Sequence, residues 1–123
     1  MREAIRDIER LRHILAAIDM LQDGVRRLTI EQIEKEPFIF YGIVKQVEVI
    51  GEATYMLTKE FRNMHPDTEW DVIEGMRHVL VHGYYSITPN KVWNVIEKDL
   101  PVLRPQIERY IAELEQEKEQ WKE

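Results

Sequence analysis

Apolar residues in this chain return at steps of three and four for most of its length, and that spacing limits the fold more than any other feature. Ile43, Val47, Ile50, Thr54, Leu57 and Phe61 step 4-3-4-3-4, the near-heptad repeat of a helix with one side against a neighbour. Ile5, Ile8, Leu11, Leu15 and Ile18 also recur at steps of three and four, with Ile14 and Leu21 widening the stripe. No stretch carries a strand signal. The chain is therefore expected to be all-α, most simply an antiparallel four- to five-helix bundle that covers these faces. Its 123 residues are read as one domain, 1–123, with 115–123 a charged, fraying tail.

Local signals place the elements. A first helix is expected over residues 2–22, closed by Asp23 and Gly24. Thr29 and Gln32 have capping-box spacing, so a short helical turn precedes Pro37. Pro37 suits the first position of a long helix reaching about residue 62. Gly51 flanks the apolar face of that helix. Glycine there costs about 1 kcal/mol against alanine, and a close approach by another helix would account for it. Asn63 to Asp67 is read as a loop with Pro66 as breaker. Thr68 or Asp67 would cap a third helix with Val72, Ile73, Met76, Val79 and Leu80 buried. Thr88 and Pro89 open a fourth helix through Val92, Trp93 and Ile96; Pro101 and Pro105 bracket the start of a fifth, whose inner face is Ile107, Tyr110, Ile111 and Leu114.

Groups able to handle a phosphodiester collect in one stretch, Arg77-His78-Val79-Leu80-Val81-His82-Gly83-Tyr84-Tyr85. The surrounding composition restricts what that stretch can do. Net charge is −6, and residues 108–123 supply −3 of it, six acids against Arg109, Lys118 and Lys122. A broad nucleic-acid coat would be basic, so a local pocket is the form of nucleic-acid contact left open. There is no cysteine, which excludes disulfides and thiolate metal sites. The charged start, with Arg2, Glu3, Arg6, Asp7, Glu9 and Arg10, is not a signal peptide. No apolar run approaches the ~18 residues of a membrane span. A cytoplasmic protein with no membrane contact is expected.

His78 and His82 at i,i+4 resemble half of a metal site, but no third ligand follows and Glu74 merely shares their side. No metal and no cofactor are therefore expected. Arg77 could be a salt-bridged surface arginine, Tyr84 and Tyr85 packing rings, and the cluster a purely structural bridge between chains. The functional reading is RNA cleavage through the 2′-hydroxyl, which needs a base, an acid and a cation for charge developing on phosphorus. Histidine suits the proton transfers and arginine the phosphate oxygens. Arg77 and His82 supply one of each per chain, and two copies about a two-fold axis would supply two. Glu52 is expected near Arg77 as an orienting partner, with a solvated glutamate as the alternative.

The spacing Arg-x4-His-x-Tyr, as Arg77, His82 and Tyr84, resembles the signature of the HepT-like toxins of the HEPN superfamily. Flanking blocks share the likeness: Ile50-Gly51-Glu52-Ala53, Trp70, Ile73-Glu74-Gly75-Met76-Arg77, Leu80-Val81-His82, and Val92-Trp93 followed by Pro101. The similarity runs over roughly residues 4–114. His78 departs from the asparagine or aspartate often found after the arginine, so it is carried as a supporting candidate. The resemblance implies a homodimer of helical bundles that cleaves RNA without metal at a cleft lined by Arg77 and His82. It also implies an MntA-like nucleotidyltransferase partner that transfers AMP onto Tyr84. Such an adduct would set anionic bulk beside Arg77. The rival reading is a non-catalytic nucleotide-binding or scaffolding subunit of a nucleotidyltransferase complex.

Overall fold

The structure is a computed structural model that describes residues 2–78 and 89–122. Val79, Leu80, His82, Gly83, Tyr84, Tyr85 and Thr88, on which several of the expectations above fall, lie outside the described residues. Among the described residues the chain is helical with no strand: α1 (Arg2–Val25), α2 (Ile30–Lys35), α3 (Pro37–Tyr55), α4 (Lys59–Met64), α5 (Trp70–Glu74), α6 (Pro89–Asn94) and α7 (Leu100–Lys122). A 3-10 turn, Gly75–His78, continues α5, and a π turn, Val95–Asp99, joins α6 to α7.

The long helices α1, α3 and α7 form the body, with α1 packed on both of the others. Cross-links give their directions. Asp7 at the start of α1 meets Thr58 just past the end of α3. Arg12 pairs with Glu115 at 3.1 Å, and further along α1 Asp19 and Gln22 take Arg104. Both neighbours therefore run antiparallel to α1. Ile8, Leu11, Ile14, Ile18 and Leu21 from α1, Val44, Val47 and Ile50 from α3, and Leu100, Leu103 and Ile107 from α7 are buried between them. Thr54 sits fully buried in this apolar face because its hydroxyl donates to the Ile50 carbonyl of its own helix at 2.8 Å. No helix among the described residues is long and apolar enough to cross a membrane.

Several boundaries differ from the sequence expectation, each for a physical reason. Gly24 lies inside α1, which runs to Val25. The second long helix stops at Tyr55 rather than near residue 62, although Leu57 and Phe61 stay in the core. Thr58 ends it by capping α4, accepting from the Phe61 backbone N–H at 3.1 Å, and the following loop begins at His65, the C-cap of α4. Thr68 does not cap α5. Its buried hydroxyl instead lies 2.6 Å from the Tyr110 phenol and 2.9 Å from Gln106. Val72 is exposed, and Trp70, Ile73 and Met76 form the buried side of this segment. Pro105 lies inside α7. The π turn before it, where the Leu100 N–H reaches back to Val95, ends beside Pro101, which cannot donate; the bond missing at Pro105 would have gone to the Pro101 carbonyl, past that turn. α7 runs to Lys122 and so includes most of the charged tail. Two local signals held: the Thr29–Gln32 capping box is present in full, and Pro37 occupies the first turn of α3.

Asp7 was not singled out by the sequence, yet it is buried, with Oδ1 accepting from the Thr58 N–H (2.9 Å) and Oδ2 from its hydroxyl (2.7 Å). This carboxylate fixes the α3–α4 corner. Asp7→Ala should leave buried donors unpaired and cost about 2 kcal/mol. Asp7→Asn, which keeps an acceptor oxygen, should cost less. Urea unfolding of the two variants checks the order, and equal stability of Asp7→Ala and the parent would contradict it.

Candidate active site

Arg77 is the third residue of the 3-10 turn, and its backbone lies directly on α3. A Cβ built on Gly51 would fall 2.2 Å from the Arg77 nitrogen and 2.7 Å from the Met76 carbonyl carbon. Only hydrogen at residue 51 admits this contact, so the close approach expected there is present. From that anchor the Arg77 side chain meets two residues further along α3. Its Nε lies 3.4 Å from Glu52 Oε2, and its guanidinium carbon sits 3.7 Å above the centre of the Tyr55 ring. Glu52 and Tyr55 are three apart on one helix face, which is why both reach the same arginine. The Arg77 side chain is 26% exposed and that of Glu52 56%. An ion pair that open contributes at most about 1 kcal/mol to stability. Its consequence is orientation: the carboxylate takes Nε and the ring takes the planar face, and among the described residues no acceptor is bonded to the terminal amino groups.

The segment carrying Arg77 is itself braced. Arg62 on α4 reaches Glu74 at 2.7 Å and Asp71 at 3.2 Å. Glu74, the acid thought to share a side with His78, is thus engaged by Arg62. The Trp70 indole donates to the His65 carbonyl at 2.8 Å, and Phe61, His65, Trp70 and Tyr110 pack ring against ring. Strong aromatic packing at the start of α5 fixes where the 3-10 turn emerges.

Arg77, His78 and Glu52 open onto one cleft of about 540 Å³ between α1, α3 and the 3-10 turn. Sequence reasoning missed three of its polar residues: Arg10 and His13 from α1, and Lys45 from α3. Their one signal was spacing, Arg10 and His13 at i,i+3 and Lys45, Glu48 and Glu52 along one face of a helix. No group of three or more potential metal ligands gathers among the described residues. His82 and Tyr84, the other two members of the sequence motif, lie outside those residues.

An all-α chain with an arginine clamped at the edge of a polar cleft is an arrangement suited to a phosphodiester. Comparison with known proteins bears on the family. The family model described as ribonuclease HepT-like matches residues 1–110. The chain is 35% identical over 101 residues to a candidate RNase of Caldanaerobacter subterraneus subsp. tengcongensis, covering 82% of this chain and 90% of that protein. It is 25% identical over 99 residues to a probable ribonuclease HepT of Thermococcus cleftensis, covering 80% and 90%. A Methanocaldococcus jannaschii protein described as a gamma-glutamylcyclotransferase and candidate RNase is 29% identical over 108 residues. That match spans 88% of this chain and 49% of the longer relative. No solved structure matches the chain. The chain belongs to the HepT-like ribonuclease family, and its class is therefore that of an enzyme acting on RNA.

Proposed function

We propose that this chain is the toxin of a toxin–antitoxin pair, a metal-independent endoribonuclease that uses Arg77 and His82 at a cleft shared by two copies of the chain. The observation that carries this reading is the Arg77 side chain, held by Glu52 and Tyr55 at an open cleft in a member of a ribonuclease family. The relatives above are named as RNases, and the same activity is assigned here. In the reaction the RNA 2′-oxygen attacks the adjacent phosphorus and the 5′-oxygen leaves. His82 takes the 2′-hydroxyl proton, and a second imidazole, His82 of the other copy, gives one to the leaving oxygen. Arg77 neutralises the charge that grows on the phosphoryl oxygens. The products are a 2′,3′-cyclic phosphate and a 5′-hydroxyl. Glu52 orients Arg77, and His78, beside it in the cleft, has a supporting place. The reaction is placed in the cytoplasm.

Control is assigned to Tyr84. A phenol with a pKa near 10 is a poor base at neutral pH, so its hydroxyl serves better as the acceptor of a modifying partner. An MntA-like nucleotidyltransferase would join that oxygen to the α-phosphorus of ATP and release pyrophosphate, leaving an anionic adduct near Arg77. His82→Ala should lose RNA cleavage and growth inhibition with helicity intact. Tyr84→Phe should keep cleavage and escape neutralisation by the nucleotidyltransferase, and mass spectrometry should find AMP on the Tyr84 peptide of the parent protein only. Full activity in His82→Ala, or neutralisation of Tyr84→Phe by modification elsewhere, would overturn the respective assignment. Absence of cleavage by the parent protein would instead favour a scaffolding subunit.

A further inference from the structure

The cleft has a second arginine on the α1 side. Arg10 lines it together with Arg77, and the Arg10 Nε is buried with no hydrogen-bond partner among the described residues. The Nε edge is shielded from solvent, so an anionic oxygen brought into the cleft would meet the guanidinium through its outer N–H groups, the donors arginine ordinarily offers to phosphate. His13, one turn along α1, and Lys45, across the cleft on α3, line the same space. Lys45 Nζ is 3.1 Å from Glu48 Oε1 and so is partly neutralised.

Charge makes the same point. With both imidazoles neutral, Arg10, Lys45 and Arg77 exceed Glu48 and Glu52 by one positive charge, on a chain whose net charge is −6. With Lys45 beside Glu48 and Arg77 beside Glu52, the positive charge in excess along the cleft is that of Arg10, on an otherwise acidic protein. Its volume of about 540 Å³ exceeds what a single phosphate group needs. We infer that Arg10, with His13 and Lys45 beside it, is a backbone-phosphate subsite that grips the RNA strand next to the phosphodiester engaged by Arg77. The ligand's identity as RNA rests on the ribonuclease reading; the anion subsite itself rests on the geometry of Arg10. The contact would be sequence-independent, positioning the strand rather than reading bases.

The test uses a fluorescently labelled single-stranded RNA with 2′-O-methyl at every position, which binds but cannot be cut, titrated at several salt concentrations. Arg10→Ala should weaken binding by about tenfold. It should also reduce the slope of log affinity against log salt by roughly 0.7, the loss of one phosphate contact on a single strand. Arg10→Lys should restore the slope, and Arg10→Gln, which keeps length and polarity, should not. On cleavable RNA the Arg10→Ala KM should rise by more than kcat falls. Unchanged affinity and slope in Arg10→Ala and Arg10→Gln would overturn the inference, as would a parent protein that binds no RNA. Binding that depends on Arg10 in a parent that cuts no RNA would support the subsite and defeat the ribonuclease reading instead. Thermal unfolding of each variant reports whether the fold survives, and if Arg10→Ala does not fold, Arg10→Gln and Arg10→Lys decide the question.

Discussion

Gly51→Ala should lower both stability and RNA cleavage, against the helix propensity that ordinarily favours alanine. A methyl group at residue 51 would meet three backbone atoms, the Arg77 nitrogen, the Met76 carbonyl carbon and the Arg77 Cα, at 2.2, 2.7 and 2.9 Å. No side-chain rotation relieves a clash with backbone, so the 3-10 turn must move off α3 by roughly 1 Å, and overpacking of that kind costs typically 1–3 kcal/mol. The propensity gain of about 1 kcal/mol offsets only part of this. Moving Arg77 by such a distance should slow cleavage by about a hundredfold, the size of effect that small misplacements of catalytic groups produce. Gly42 provides the control. It lies on the same helix with nothing within 4 Å of its built Cβ, so Gly42→Ala should stabilise the helix by up to about 1 kcal/mol and leave cleavage alone. A stabilised, fully active Gly51→Ala would show that the close contact does not hold the site.

The second large effect is expected at Arg77 itself, and it should not be rescued by lysine. In the proposed mechanism Arg77→Ala removes the cation assigned to the phosphoryl group, a loss on the order of a thousandfold in rate for a group of this kind. Arg77→Lys keeps the charge but not the plane. An ammonium cannot lie flat on Tyr55 while turning a secondary nitrogen to Glu52, so both constraints seen here at 3.7 and 3.4 Å are lost. Lysine should therefore recover at most about a tenth of the parent rate. Steady-state cleavage of one defined RNA ranks the three proteins, and a lysine variant as fast as the parent would reduce Arg77 to a point charge.

How much of this was legible from the sequence depended on distance along the chain. Thr29 with Gln32, and Pro37 at the head of α3, were readable because cap chemistry is local. The glycine at 51 was readable as an anomaly, an unfavourable residue on a packed face, although its neighbour in space was not. The end of α3 was not readable. Leu57 and Phe61 continue the apolar repeat, and what breaks the helix is Thr58, bound to an aspartate 51 positions earlier. Pro105 misled because proline usually marks a helix start, whereas here it lies inside α7, which begins at Leu100. At the site, the motif arginine stood out within a nine-residue cluster. Arg10 did not: on paper it is one of many charges on an amphipathic helix, and only the fold turns it into the cleft that Arg77 also lines.

In the proposed mechanism this cleft cuts RNA by attack of the 2′-oxygen, with Arg77 answering the charge on phosphorus and no metal required. End-group analysis of one RNA incubated with the parent protein and with Arg77→Ala, both in excess EDTA, tests it directly. The parent should leave 2′,3′-cyclic phosphate and 5′-hydroxyl ends at an undiminished rate, and Arg77→Ala should leave the RNA intact. Cleavage abolished by EDTA, 5′-phosphate ends, or an Arg77→Ala protein as fast as the parent would each contradict it.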